Sequence, residues 1–336
     1  FLRLVIIPAI TLITFIWAAS FTSPAAAQVL AKMRIFGIGL LTMVLSTDKR
    51  FKKPETDPDV IKGVSDAATK RVIFIRHGES DWNEVFNRGF GPSFFVRLLK
   101  AVFREVGELS ITPDSVFIDS ALSPLGMFQA RELVQFLEKD SSTTDHPDLH
   151  ALLKGDSATA DSVIFSSNLR RALATAAIGL QQRLQRTGEK CHIASCLQEI
   201  SFNLDAGALA PALGIPDLHA IAPEMWSTYD PQELFDPSLN TGDKPIFGTG
   251  LQRMNAFCEL VFGREESTII ATGHSLYFRS FFQTFLPRGA EHVAKKKKMV
   301  NSGTVAFNIS RAVHAGKQVY RIEPDSVTVV YGGFAR

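Results

Sequence analysis

Cysteine is scarce in this chain, with three residues among 336. Cys191, Cys196 and Cys258 are odd in number and lack the paired spacing of a zinc site, so the sequence predicts neither a disulfide framework nor a metal centre. We expect three buried thiols, which suit a reducing compartment. A large excess of one charge is also missing, since the formal net charge is +2, and nucleic acid is therefore not an expected partner.

Ionisable side chains are absent from residues 4–31, and residues 4–19 are almost continuously apolar. A membrane-spanning helix needs about 20 such residues, so we predict a transmembrane helix at about residues 4–26. Pro8 would lie in its first turns, where a helix tolerates proline best. The alternative is a removable signal, because residues 23–27 (Ser-Pro-Ala-Ala-Ala) resemble a cleavage site. We favour an anchor and assign residues 1–47 to it.

A second apolar run covers residues 35–45 and is too short to span a bilayer comfortably. We expect it to be interfacial, to pack beside the first helix, or to bind another subunit of a membrane complex. Residues 48–70 are polar, contain Pro, Gly and Ser, and are predicted to be a linker.

Basic residues flank the second apolar run, namely Lys32, Arg34, Lys49, Arg50, Lys52 and Lys53. Such residues usually mark the negative-side face of a membrane. We therefore predict a single-pass protein with its soluble domain on the cytosolic, stromal or matrix side. The start at Phe1 suggests a processed chain and would suit a plastid or mitochondrial inner membrane.

Apolar runs alternate with helical patterns through the rest of the chain. The predicted strands are residues 72–75, 163–165, 192–197, 268–272, 303–308, 318–322 and 327–330. This alternation predicts an α/β domain over residues 71–336, a three-layer sandwich with a mostly parallel sheet. Residues 92–106 have apolar side chains at helical spacing with basic residues between them. We expect this helix to cover the sheet, and a membrane-surface helix is the alternative.

Charged side chains follow four of these strands directly or within a few residues. Arg76 and His77 end the first strand, and Arg171, Glu199 and His274 follow the others. Open α/β sheets bind their ligands at the carboxyl ends of strands. Phosphoryl transfer needs a nucleophile and cations around the phosphate oxygens, and a neutral imidazole is a competent nucleophile near pH 7.

The sequence around these residues resembles the histidine phosphatase superfamily, which includes the cofactor-dependent phosphoglycerate mutases. Five blocks appear in the family's order between residues 71 and about 310. They are residues 75–83 (Ile-Arg-His-Gly-Glu-Ser-Asp-Trp-Asn), 119–130 (Asp-Ser-Ala-Leu-Ser-Pro-Leu-Gly-Met-Phe-Gln-Ala), 166–176 (Ser-Ser-Asn-Leu-Arg-Arg-Ala-Leu-Ala-Thr-Ala), 197–199 (Leu-Gln-Glu) and 271–275 (Ala-Thr-Gly-His-Ser). One block alone is a weak signal, whereas five in order are strong.

The resemblance implies the phosphoglycerate mutase-like fold and a role for each residue. His77 would attack phosphorus and form a phosphohistidine, and Glu199 would protonate the leaving oxygen and then activate water. Arg76 and Arg171 would clamp the phosphate oxygens, with a protonated His274 as a third positive group.

The smaller residues of the blocks receive supporting roles. Asn83 and Ser275 are candidate neutral donors to phosphate. Gly78 and Gly273 are candidate phosphate- or substrate-binding positions, because a missing Cβ allows close approach. Arg170 is expected to face solvent, since the family's arginine directly precedes the Ala that opens the helix.

The chain also departs from the mutases of this family. They have an Arg-His-Tyr-Gly stretch after the acid, whereas Glu199 is followed here by Ile-Ser-Phe-Asn-Leu-Asp. We therefore expect a membrane-anchored phosphatase that needs no cofactor or metal and acts on a phosphorylated small molecule or a phosphoprotein. The alternatives are an accessory subunit of a membrane complex and a phosphomutase. Residues 201–250 form a loop-rich region that would set the substrate.

Overall fold

The fold is a three-layer α/β sandwich around one mixed sheet. The computed structural model describes residues 2–112, 114–156, 161–218 and 230–335. Its strands are β1 (Ala68–Arg76), β2 (Ser162–Ser166), β3 (Cys191–Ile193), β4 (Phe235–Asp236), β5 (Thr268–Gly273), β6 (Thr304–His314), β7 (Lys317–Ile322) and β8 (Thr328–Tyr331). The order is β4-β3-β2-β5-β1-β6-β7, and β8 also pairs with β6. Strands β1 to β5 run parallel, and β6 is antiparallel to β1, β7 and β8.

Helices lie on both faces of the sheet and before it in the chain. They are α1 (Leu2–Ala19), α2 (Pro24–Leu45), α3 (Asp81–Phe86), α4 (Pro92–Gly107), α5 (Pro124–Glu138), α6 (Pro147–Lys154), α7 (Arg170–Gly179), α8 (Gln181–Thr187), α9 (Pro231–Leu234), α10 (Gly250–Gly263), α11 (Ser275–Phe285) and α12 (Val293–Lys296). Helices α5 to α8 cover one face, and α10 and α11 cover the other.

The central strand β1 explains why its sequence is continuously apolar. Ile73 and Ile75 pack in the core beneath α5 and α7, while Val72 and Phe74 pack on the opposite side. Phe74 stacks on the ring of Phe278 from α11 with the centroids 4.0 Å apart. A strand buried on both faces has no polar face to alternate with, as is usual in parallel sheets.

The predicted strands are confirmed, with one shortened and one missed. The strand predicted at residues 192–197 stops at Ile193 and continues as a 3₁₀ turn, Ser195–Leu197. Strand β4 has only two residues, too short to carry a periodic signal. The predicted substrate loop, residues 201–250, lies partly outside the described residues, since 219–229 are not among them.

The N-terminal apolar region forms two helices, so the continuous helix predicted at residues 4–26 is wrong. Helix α1 ends at Ala19, and Ser23 caps the next helix by accepting a hydrogen bond from the Ala26 amide (3.4 Å). Proline at the first helical position favours this restart. The apolar run at residues 35–45 is the second half of α2. Among the described helices, α2 alone is long and apolar enough by composition to cross a membrane.

Helix α2 from Lys32 onward and the segment after it lie against the α/β domain. The Lys32 ammonium donates to the Glu108 carbonyl at the end of α4 (3.0 Å). The Thr47 amide donates to the Ile246 carbonyl (3.0 Å). Within residues 48–70, a 3₁₀ turn at Pro58–Ile61 buries Ile61 against β6 and β7. This stretch is therefore fastened to the domain at several points.

Helix α4 forms where it was predicted, but it does not cover the sheet. Phe94, Leu98 and Ala101 pack against α3, while Phe95 and Phe103 are 69% and 67% exposed. The expectation that α4 covers the sheet is wrong. After residues 87–91, α4 packs beside α3 in a cluster separate from the two clusters that cover the faces of the sheet. Because α4 has an exposed apolar face, the alternative that it binds a membrane surface stays a proposal.

Candidate active site

The sheet brings the predicted catalytic residues together at the carboxyl ends of its parallel strands. Arg76 pairs with Gly273 in the register of β1 and β5, so His77 and His274 follow adjacent strand ends. The His77 amide donates to the Gly273 carbonyl (3.0 Å). The two imidazole rings lie with their centroids 5.0 Å apart.

His77 has one ring nitrogen held and the other available. Its Nδ1 lies 2.5 Å from the carbonyl oxygen of Gly78. Because a carbonyl can only accept, we assign the proton to Nδ1, which leaves the Nε2 lone pair free for attack. Burial lowers the pKa of His77 well below 6.5, and the nearby Arg171 and Arg76 charges lower it further. The imidazole is therefore neutral at pH 7, as a nucleophile requires.

His274 is fully buried and bonded on one side. Its Nε2 lies 2.8 Å from the hydroxyl of Ser167, and its Nδ1 is buried without a hydrogen-bond partner. Burial lowers the pKa of His274 well below 6.5, with further lowering by Arg171 and His77. Burial and these neighbours disfavour a charge on the ring, and the role of a protonated His274 as a third positive group stays a prediction.

Arg171 points a buried guanidinium group into the site, and Arg76 a half-buried one. Arg171 Nη1 donates to the Asp205 carbonyl (2.7 Å), and its Nη2 lies 3.5 Å from the Asp205 carboxylate. Arg76 Nη1 donates to the Met299 carbonyl (2.5 Å). The Nε–H groups of both arginines are buried without partners. An unpaired buried donor costs about 1–3 kcal/mol, so an anion that accepts from both is favoured.

The surroundings of Arg76 disfavour its positive charge, as the pKa of its guanidinium shows. Burial lowers the pKa of Arg76 to about 10, with a further lowering from Arg171 that Glu199 opposes. Two guanidinium groups held near each other out of water favour a bound dianion. This is the charge pattern that binding and transfer of a phosphoryl group need.

Glu199 is held at the start of helix α11. Its Oε1 accepts from the backbone amides of Ile200 (2.9 Å) and Tyr277 (2.8 Å), and its Oε2 accepts from that of Leu276 (3.3 Å). Burial raises the pKa of Glu199, although Arg171 and these amides oppose the rise. A buried carboxyl with a raised pKa suits a group that must give and take a proton.

Arg170 does not face solvent, so that expectation is wrong. It is buried, its guanidinium pairs with Asp114, and its Nε donates to the Asp119 carbonyl (2.9 Å). Burial raises the pKa of Asp119 to about 6 against the opposing effect of Arg170. Arg170 therefore fixes the start of α7, and Arg171 is the residue that faces the site.

The two glycines have a packing role that differs from the predicted one. A Cβ on Gly78 would lie 2.4 Å from the Gly126 carbonyl oxygen, and one on Gly273 would lie 2.9 Å from the Phe278 ring. The Gly78 amide donates to the Thr175 hydroxyl (3.0 Å). Both glycines therefore allow close packing around His77, and their role as phosphate- or substrate-binding positions stays a prediction.

The two candidate neutral donors lie on different helices, Asn83 in α3 and Ser275 in α11. The side-chain oxygen of Asn83 accepts from the side-chain Nδ2 of Asn87 (2.8 Å), so a bond to phosphate would have to come from the Nδ2 of Asn83. Ser275 is buried at the first position of α11, directly after His274. Their roles as phosphate donors stay predictions.

Several residues that support the site were missed in the sequence. Ser167 and Thr175 bond to His274 and Gly78, and both lie in a block that had been noted for Arg171. Asp205 lies in the region read only as loop, with no short-range pattern to mark its pairing with Arg171. Such long-range contacts leave no periodic signal in one sequence.

Comparison with solved structures gives matches of low identity. The chain is similar to a mycobacterial glucosyl-3-phosphoglycerate phosphatase (16% identity, 77% of this chain and 100% of that one, TM-score 0.36). It is similar to a phosphoserine phosphatase variant from Entamoeba histolytica (17%, 78% and 97%, 0.35). It is also similar to a phosphoglycerate mutase from Bacillus anthracis (15%, 77% and 93%, 0.38). No family model matches the chain, and no curated protein matches it.

The five sequence blocks meet at one sheet edge, in the family's order and around one buried histidine. The fold is a three-layer α/β sandwich with a mostly parallel sheet, as the sequence predicted.

Proposed function

We propose that this protein hydrolyses a phosphomonoester through a phosphohistidine on His77. The observation that carries the proposal is the bond from His77 Nδ1 to the Gly78 carbonyl, which leaves Nε2 free. Around it lie the unpaired buried Nε–H groups of Arg76 and Arg171. A free neutral nucleophile beside two unfilled cationic donors is suited to attack on a phosphate.

The first step forms the Nε2–phosphorus bond and breaks the bond from phosphorus to the ester oxygen. Glu199 gives its proton to that leaving oxygen and becomes a carboxylate. In the second step Glu199 takes a proton from water, whose oxygen attacks phosphorus and breaks the phosphorus–nitrogen bond. Arg76 and Arg171 neutralise the three equatorial oxygens throughout.

Hydrolysis is favoured over mutase activity by the sequence after Glu199, which lacks the Arg-His-Tyr-Gly stretch of the mutases. The two activities differ in the acceptor of the phosphoryl group. Release of inorganic phosphate in the presence of excess acceptor alcohol supports the phosphatase. Quantitative transfer to the alcohol or to a second position of the substrate would support the mutase.

The test is hydrolysis of p-nitrophenyl phosphate by the full chain in detergent, with His77→Ala compared with His314→Ala. His314 is exposed near the end of β6 and serves as a matched histidine control. We expect His77→Ala to lose turnover and His314→Ala to keep it. Equal turnover by the two variants would overturn the assignment of the nucleophile.

We also infer that the protein is attached to a membrane on the side where its basic residues gather. Helix α2 is long and apolar enough to cross a bilayer, and α4 has an exposed apolar face with Phe95, Leu99 and Phe103. Carbonate extraction followed by protease treatment of sealed vesicles tests this. Release of the full-length protein by carbonate would refute attachment, and protection on the opposite face would refute the orientation.

The second candidate is an accessory subunit of a membrane complex. The same exposed face of α4 favours it, since a partner protein would cover apolar side chains equally well. Co-migration of all the protein with one large detergent-solubilised complex would support this role. Quantitative recovery as a lipid-bound monomer would oppose it.

A further inference from the structure

Asp48 is a buried anion in the N-terminal segment, three residues after α2 ends. Its side chain is 1% exposed and forms two ion pairs with residues far along the chain. Its Oδ2 accepts from the Lys244 ammonium (2.9 Å) and its Oδ1 accepts from Arg253 Nη1 (2.6 Å). Removing one partner of a buried ion pair leaves the other charge buried and unpaired, which is strongly destabilising. We therefore expect the three charged groups to keep these contacts in the folded protein.

The same two cations hold the backbone of the catalytic acid. The Lys244 ammonium donates to the carbonyl oxygens of Glu199 and Ser201, both at 2.5 Å. Arg253 Nη2 donates to the Glu199 carbonyl (3.3 Å). Asp48 itself accepts from the Ser201 amide (3.0 Å). The main chain from the Glu199 carbonyl to Ser201 is therefore fastened to Asp48, directly or through one cation.

We propose that Asp48 is a positioning residue for Glu199, so that the segment following the apolar helix α2 completes the active site. The inference rests on the proposed function, because it assumes that Glu199 is the acid. It differs from a tether in one respect. A tether holds the domain near a membrane, whereas Asp48 sets the geometry and the charge environment of the acid.

The charge of Asp48 matters because several cations surround Glu199. The negative charge of Glu199 opposes the lowering of the pKa of Arg76 and of Lys298. The positive charges of Arg171 and Lys244 oppose the rise in the pKa of Glu199. Replacing Asp48 by a neutral amide leaves Lys244 and Arg253 unbalanced. The carboxylate form of Glu199 is then favoured, so its pKa falls and it becomes a poorer acid for a difficult leaving group.

The test compares Asp48→Asn with Asp57→Asn in the full chain. Asp57 lies nine residues further along the same segment and accepts from the Arg288 amide (3.2 Å), away from the Glu199 loop. With an alkyl phosphate, whose leaving oxygen needs a proton, we expect kcat of Asp48→Asn to fall about tenfold or more, since general acid catalysis is worth roughly 10²–10⁴-fold. KM should change less than twofold, and the alkaline limb of kcat should move to lower pH.

A substrate with an activated leaving group separates acid positioning from general damage. Dinitrophenyl phosphate needs no protonation of its leaving oxygen, so Asp48→Asn should release dinitrophenol in the first turnover at nearly the wild-type rate, before Glu199 is needed as the base. Equal losses in the first turnover of both substrates, or an unmoved alkaline limb, would overturn the proposal. If Asp48→Asn fails to fold, Arg253→Lys replaces it, since lysine keeps the charge but has one nitrogen in place of the two, Nη1 and Nη2, that bond to Asp48 and the Glu199 carbonyl. The same difference between substrates is then expected.

Failure of the proposed function has a separate signature. If the wild-type chain forms no phosphohistidine, that function fails, and hydrogen exchange tests the positioning contact without turnover. Amides of residues 199–205 should exchange faster in Asp48→Asn than in Asp57→Asn. Equal exchange in the two variants would overturn the role of Asp48.

Discussion

The imidazole of His77 lies 5.0 Å from that of His274, between ring centroids, and both rings are buried. Burial lowers the pKa of both rings, and the nearby Arg171 charge lowers it further. The site therefore offers two neutral rings and two guanidinium groups to a phosphate. A bound dianion would offset this excess of positive charge, and four predictions follow from the surrounding geometry.

The first prediction concerns acid pH. The pKa of His77 is lowered well below 6.5, so the neutral nucleophile persists as pH falls until the lowered pKa is reached. The acid limb of kcat/KM, corrected for ionisation of the substrate, should lie well below pH 6.5. Nitrogen-15 NMR of His77 without substrate checks the assignment. A midpoint at or above 6.5 in either measurement contradicts the lowered pKa.

The second prediction separates two neighbouring arginines. Arg171→Lys loses the forked donors of the site, and kcat/KM should fall about 10²-fold, the usual cost of removing one preorganised donor. Arg170→Lys instead disturbs the buried contacts with Asp114 and Asp119. It should lower the free energy of unfolding by about 1–3 kcal/mol. Urea denaturation measures the loss of stability, and kinetics on the folded variants measure the loss of kcat/KM. A loss of stability mainly in Arg171→Lys with a loss of kcat/KM mainly in Arg170→Lys would contradict the assignment of Arg171 to the site.

The third prediction tests the close approach at Gly78. An added Cβ would lie 2.4 Å from the Gly126 carbonyl oxygen, which is backbone and cannot move alone. Gly78→Ala should lower the free energy of unfolding by about 1–3 kcal/mol and reduce kcat by displacing His77. Gly91→Ala is the control, since a Cβ there meets nothing within 4 Å. Equal stability of the two variants by thermal melting would show that the contact is relieved cheaply.

The fourth prediction concerns metal ions. Arg76 and Arg171 provide the positive charge that magnesium supplies in other phosphoryl-transfer enzymes. Turnover should be unchanged after dialysis against a chelator and after addition of Mg²⁺, Mn²⁺ or Zn²⁺. Loss of activity on chelation, with recovery on adding one of these ions, would show that the arginines are not sufficient.

The strands and the main site residues could be predicted because their signals are local. A buried apolar run such as residues 72–75 followed by Arg76 and His77 is visible in a short window, and the sheet fixes where its end points. The choice of Arg171 over Arg170 agrees with the charge that Arg171 places near His77, and its catalytic role stays a prediction. The environment of Arg170 was wrong, because its partner Asp114 lies 56 positions away.

Contacts of the N-terminal segment could not be predicted. The apolar composition of residues 4–26 predicted one helix. Ser23 and Pro24 did not mark a break, because the same residues also suit a cleavage site and their capping role depends on the helix that follows. Asp48 gave no signal at all, because its partners Lys244 and Arg253 are about 200 residues further along. A single sequence contains no information about such pairs beyond composition.

The most direct test of the central claim is to identify the phosphorylated residue during turnover. Wild-type chain and Glu199→Gln are mixed with radiolabelled dinitrophenyl phosphate, quenched in alkali and digested. This substrate needs no acid in the first step, so the loss of the base in Glu199→Gln should slow only the hydrolysis of the intermediate. We predict an alkali-stable, acid-labile phosphate on the peptide that contains His77, with more label in Glu199→Gln. Label on a serine peptide, or turnover of the wild type with no labelled protein in either sample, would contradict the phosphohistidine mechanism.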